Sequence, residues 1–100
     1  MAITYNLAAD GSTAAVFLKG DITVDASGSF GSGTLALEFS INGTTNWYTP
    51  TDDAGVAVEL TVPDSVGFRH AGIYVRTTLT GSTAPDIDIQ FGGVRNTSKT

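Results

Sequence analysis

The chain has 100 residues, no cysteine and a formal net charge of -5, which fits one domain and excludes disulfides, thiolate zinc sites and thiol nucleophiles. Acidic residues outnumber basic ones ten to five, so phosphate backbones repel the surface and nucleic acid is not an expected partner. Charged residues make up 15% of the chain against about 25% in typical domains; Thr, Ser, Gly and Ala take their place, giving neutral faces of the kind that other proteins cover.

Met1-Ala2-Ile3-Thr4-Tyr5-Asn6 has neither the basic start nor the apolar run of a secretory signal. No window approaches the roughly 20 apolar residues of a membrane helix. The protein is therefore expected to fold in a reducing cytoplasm with no membrane partner. The stretch Ile3 to Leu7 alternates, and reads either as a first strand or as an arm that adds a strand to a neighbouring molecule. Short alternations follow at Ala15–Lys19 and Ile22–Asp25, separated by Lys19-Gly20-Asp21. Ala26 to Gly33 reads as a Gly/Ser-rich loop.

Thr34 to Ile41 is the clearest strand, with Leu35, Leu37, Phe39 and Ile41 on one side and Thr34, Ala36, Glu38 and Ser40 on the other. Asn42-Gly43 suits a tight turn with positive φ. A short strand is expected at Asn46–Thr49, with Trp47 as a core residue and Tyr48 on the surface. Thr51 to Gly55 reads as a loop. Val56 to Val62 alternates again, placing Val56, Val58, Leu60 and Val62 inside until Pro63 stops the ladder. His70, the one histidine, is expected in a loop between Asp64 and Gly72. Gly72 to Thr80 puts Ile73, Val75, Thr77 and Leu79 inside, with Tyr74, Arg76 and Thr78 outside. Asp86 to Phe91 puts Ile87, Ile89 and Phe91 inside. Strands of this spacing, alternating on one face, predict an all-β antiparallel β-sandwich of seven or eight strands, immunoglobulin-like or jelly-roll. One domain is expected over residues 1–93, with a polar tail from Val94 to Thr100.

No constellation of catalytic residues stands out. His70 has no cysteine or second histidine to join it, no serine sits in a nucleophile elbow, and Gly28 to Gly33 lacks the lysine of a phosphate loop. Asp52-Asp53 and Asp86-x-Asp88 fall short of a calcium loop and read as solvated charges. The chain is thus not expected to be an enzyme, and no cofactor or metal is expected. The side chains that suit a partner are Tyr48 and Tyr74, which carry aromatic area with a polar tip, Arg76, and Ile3, Tyr5 and Leu7 of the first strand. Arg76 and the outward Glu38 and Glu59 could form a bridge if their strands are neighbours.

The run Gly31-Ser32-Gly33-Thr34-Leu35-Ala36-Leu37-Glu38-Phe39-Ser40-Ile41-Asn42-Gly43-Thr44-Thr45-Asn46-Trp47, followed by Gly72-Ile73-Tyr74-Val75-Arg76-Thr77-Thr78-Leu79-Thr80-Gly81, resembles short bacteriophage capsid decoration, or cement, proteins. The resemblance spans about Gly28 to Phe91. It implies a virion structural protein with no catalytic residues, made in the bacterial cytoplasm and carried on the capsid surface. Its partners would be the major capsid protein and neighbouring copies of itself, a trimer being favoured. Sugar-binding sandwiches use a similar Asn-Gly-Thr-x-x-Trp turn, so a carbohydrate-binding module or receptor-binding fibre or tail domain is the alternative.

Overall fold

The computed structural model describes residues 2–52 and 54–95. Among these residues there is no helix, and seven strands follow in order: β1 (Ala2–Leu7), β2 (Gly11–Ser12), β3 (Val16–Ser29), β4 (Thr34–Ser40), β5 (Glu59–Leu60), β6 (Asp64–Thr80) and β7 (Asp86–Arg95). All pairings are antiparallel, as one-faced alternation requires. Hydrogen bonds join the strands into one sheet in the order β1-β7-β3-β6-β4-β5, with β2 beside the end of β6.

The two central strands are longer than the sequence suggested. Gly20 does not end a strand; it lies inside β3 at φ +82°. Opposite it, β6 carries one extra residue. Leu18 pairs with Ile73 and Gly20 with His70, so Lys19 alone faces both Ala71 and Gly72. This bulge lets Val66, Phe68 and His70 point to the same side as Ile73, Val75, Thr77 and Leu79, although the count changes from even to odd. The register of β3 against β7 also shifts between Lys19 and Thr23. Bulges increase twist and bend a strand, and here both neighbours of β3 slip at the same level.

The side chains on the inner side form one core. Val16, Leu18, Ile22 and Val24 of β3 join Leu35, Leu37 and Phe39 of β4, Ile73, Val75 and Leu79 of β6, and the fully buried Ile87, Ile89 and Phe91 of β7. Each such side chain contributes about 1.5–3 kcal/mol on burial. Thr77 is the polar member on β6. Its backbone N–H donates to Thr13 Oγ1 at 3.0 Å and its hydroxyl lies 3.4 Å from the same oxygen.

Several expectations are corrected. Ala26 to Ser29 belong to β3, and Phe30 is buried in the turn that follows, where Gly33 N–H donates to the Phe30 carbonyl at 2.9 Å. Ile41 lies past the end of β4 and is 84% exposed. Only Glu59 and Leu60 of the stretch Val56–Val62 are a strand, paired with Ala36 and Leu35. Leu60 is buried and Val58 half-buried, but Val56 and Val62 are exposed. Val58 N–H donates to the carbonyl of Pro50, at 2.9 Å. Pro50 has no N–H to return; the Val58 carbonyl accepts from Leu37 N–H at 3.1 Å instead, and beyond Pro50 the pairing continues only as an isolated bridge, Thr51 to Ala57. Asn46 to Thr49 contribute only a single bridge, Tyr48 to Phe39. The polar tail expected from Val94 begins inside β7; residues 96–100 lie outside the described part of the chain.

Candidate functional site

The outer face of β4 and β6 gathers the side chains with recognition chemistry. Their register pairs Glu38 with Arg76, Ala36 with Thr78 and Ser40 with Tyr74, so alternation sends Glu38, Tyr74, Arg76 and Thr78 to the same side. Arg76 Nε donates to Glu38 Oε1 at 2.7 Å. The Glu38 oxygen also accepts from the Thr78 hydroxyl at 2.6 Å, and Thr78 Oγ1 lies 2.8 Å from Ser12 Oγ on β2. The guanidinium carbon of Arg76 stands 4.0 Å from the centre of the Trp47 ring. Both members of the ion pair are partly sheltered, at 28% and 20% exposed. Next to it, Phe17 meets Tyr74 edge to face at 5.0 Å.

A short turn positions the aromatics. Ser40 is fully buried. Its hydroxyl donates to the Thr45 carbonyl at 2.6 Å and accepts from Gly43 N–H at 3.0 Å. Asn42 Oδ1 accepts the N–H groups of Thr44 and Thr45, both at 2.9 Å. Gly43 sits at φ +78°, and a Cβ there would lie 2.9 Å from the Tyr74 ring. Glycine is thus required twice over, for the left-handed backbone and for the close approach. The turn leads directly into Trp47.

Trp47 is not the core residue the sequence suggested; it is half-buried on the outer face under Arg76. Tyr74 and Arg76 are brought together, two residues apart on one face of β6. Tyr48 lies elsewhere: it is 49% exposed and its ring meets the edge of Phe39, an inner-face residue. Ile3, Tyr5 and Leu7 are half-buried against the core, with the Tyr5 ring 5.9 Å from Phe91. β1 pairs with β7 of its own chain from Ala2 to Leu7, as an ordinary first strand does. Glu59 is paired in the sheet with Ala36, and the bond from Arg76 goes to Glu38. Phe17 and Thr78 complete the face. The position of Phe17 between inward Val16 and Leu18 is the signal that would have found it.

The remaining candidates form no site. His70 lies in β6 and not in a loop; its Nδ1 accepts the Gly72 N–H at 3.0 Å and its ring is 6.0 Å from Phe39. Asp86 and Asp88 are bridged by the side-chain amide of Asn6, at 2.8 and 3.0 Å. Asp52 caps its own loop by accepting from Ala54 and Val56 N–H groups, and Asp53 lies outside the described residues. Asp10 clasps the β6–β7 turn, accepting from the Ser82 hydroxyl and from the N–H groups of Ser82 and Gly81. The Ser82 hydroxyl bond, aided by these backbone donors, lowers the Asp10 carboxyl below the ordinary aspartate value. Among the described residues no three His, Asp or Glu side chains converge as a metal site would need. No protein-family model, curated protein or solved structure matches the chain.

Proposed function

We propose that this chain is a bacteriophage virion structural protein, a decoration or cement protein that binds the assembled capsid through the outer face of β4 and β6. The observation that carries the reading is the Trp47–Arg76–Glu38 stack beside Phe17–Tyr74. Trp, Tyr and Arg are the residues that dominate protein interfaces, above all where they are already held in place by packing. An arginine fixed by an ion pair and a ring loses little side-chain freedom when a partner covers it. A cement protein that binds only the expanded shell stabilises that shell by mass action, and many copies on a closed particle add avidity.

Arg76 lies over a face of the Trp47 ring, a position that competes with sugar stacking and weighs against the carbohydrate-binding alternative. Co-sedimentation of the purified chain with phage heads that lack it tests the proposal. Pelleting with expanded heads in a saturable amount supports it. Absence of pelleting, together with capture of a specific oligosaccharide on a glycan array, would move the assignment to the sugar-binding class.

A further inference from the structure

β6 pairs with β3 from Asp64 to Val75 but with β4 only from Tyr74 onward. Among the described residues, no strand pairs with 64–73 on the side away from β3. The direction of the backbone groups follows from Thr77. Its carbonyl accepts from Thr13 N–H at 2.9 Å, and its own N–H donates to Thr13 Oγ1. Inward residues of β6 therefore aim their N–H and C=O toward the β3 side. The bulge preserves that relation, so the outward Ser65, Gly67 and Arg69 aim theirs at the open edge, where the Ser65 N–H is held by Asp64 Oδ1 at 2.8 Å and has to exchange that bond for one to the second copy. All three are exposed.

Protein edges are usually blunted by charge, proline, bulges or brevity. From Ser65 to Arg69 this edge has no proline and one outward charge, Arg69, tied to Asp21 at 2.9 Å. Against it lies a largely apolar cleft of about 510 Å³ whose walls include Leu37, Phe39, Val66 and Phe68, together with Thr51 and Asp52 of the loop before Val58. We propose that the occupant of this edge is the same edge of a second copy, paired antiparallel about a two-fold axis at Gly67. In that register Asp64 faces His70, Ser65 faces Arg69 and Val66 faces Phe68 across the two chains. His70 Nδ1 already accepts from Gly72 N–H, which leaves Nε2–H to donate to the facing carboxylate. Val66 opposite Phe68 is a favourable aromatic–aliphatic cross-strand pair, and it carries the apolar wall of one cleft into the other. A register centred on Arg69 would set arginine against arginine. One centred on Phe68 would leave Asp64 opposite Gly72, with no side-chain hydrogen-bond donor facing it. The contact is isologous and closes as a dimer, in place of the trimer that the sequence resemblance favours. It stands apart from the capsid reading, because a second copy is the only partner it needs.

The chain has no cysteine, so one introduced thiol reports the register. In a hydrogen-bonded antiparallel pair the Cα atoms are about 5.5 Å apart, within the span of a disulfide. Gly67→Cys is expected to form a cross-linked dimer under mild oxidation, whereas Ser65→Cys, equally outward but opposite Arg69, is expected to stay largely uncross-linked. Light scattering of the wild type should show dimer growing with concentration. Gly67→Pro should keep the fold by circular dichroism and lose the dimer, since the N–H it removes points to the open edge. Ser65→Glu, facing Arg69 twice in the dimer, should tighten association about fivefold. A wild type monomeric at every concentration, a dimer indifferent to Gly67→Pro, or equal cross-linking of the two cysteine variants would each overturn the proposal.

Discussion

Replacing Ser40 by alanine removes one oxygen from the base of the outer-face turn. The Ser40 hydroxyl donates to the Thr45 carbonyl and accepts from Gly43 N–H, and the residue is fully buried. Leaving a buried polar group without its partner costs about 1–3 kcal/mol. Three groups lose a partner here, but Asn42 Oδ1 keeps the N–H groups of Thr44 and Thr45, and Thr45 is exposed, so water can replace the bond at its carbonyl. The larger share therefore falls on Gly43 N–H, beneath the Tyr74 ring, and the total is about 2 kcal/mol. For a domain of this size 1 kcal/mol shifts Tm by about 4–8 °C, so Ser40→Ala should melt roughly 10 °C lower. Thr44→Ala is the control: its hydroxyl is exposed and lies 3.3 Å from Asn42, and its loss should move Tm by no more than about 2 °C, in keeping with an ordinary surface substitution. Thermal denaturation followed by circular dichroism measures both. Equal melting of Ser40→Ala and Thr44→Ala would refute the claim that the buried hydroxyl holds the turn.

The two ion pairs should differ despite similar geometry. Arg76–Glu38 is sheltered and Arg69–Asp21 is about 80% exposed at both ends, so double-mutant cycles in urea should give about 1 kcal/mol of coupling for the first and none resolvable for the second. Asp10, whose carboxyl is held below its ordinary value by Ser82, should stabilise the fold above the range in which a free aspartate titrates. That contribution should fade as pH falls through the depressed value, and Asp10→Asn should lack this part of the acid dependence in melts from pH 7 to pH 2. Phe91→Ala should lose about 3–5 kcal/mol in chemical denaturation, because the ring is fully buried; a loss below about 1 kcal/mol would mean that the inner faces do not share one core.

The strands that pack by one face were legible because burial alternates along them. β4, β7 and the later half of β6 show this, with Leu35, Leu37, Ile73, Val75, Ile87 and Ile89 all inside. The first half of β6 was hidden. Its inward Val66, Phe68 and His70 are only half-buried, the outward Gly67 between them looks like a strand breaker, and the extra residue at Ala71-Gly72 reverses the count. β3 was read as two strands because Gly20, which serves the bend, looks like a turn residue. Val56 and Val62 show the opposite error: alternation records which way a side chain would face, not whether a neighbour exists to cover it. The candidate face was half visible. Parity placed Glu38, Tyr74 and Arg76 outward. Trp47 was not placed, because its position depends on the turn at Ser40–Thr45 and on Arg76, a partner 29 residues further along the chain.

Binding of the wild type and of Arg76→Ala to heads lacking the protein tests the proposed face most directly, with folding of both confirmed by their melts. Recognition through the outer face predicts saturable wild-type binding and an affinity at least tenfold weaker for Arg76→Ala, the loss expected of a central arginine anchor. Equal binding of the two proteins would contradict it.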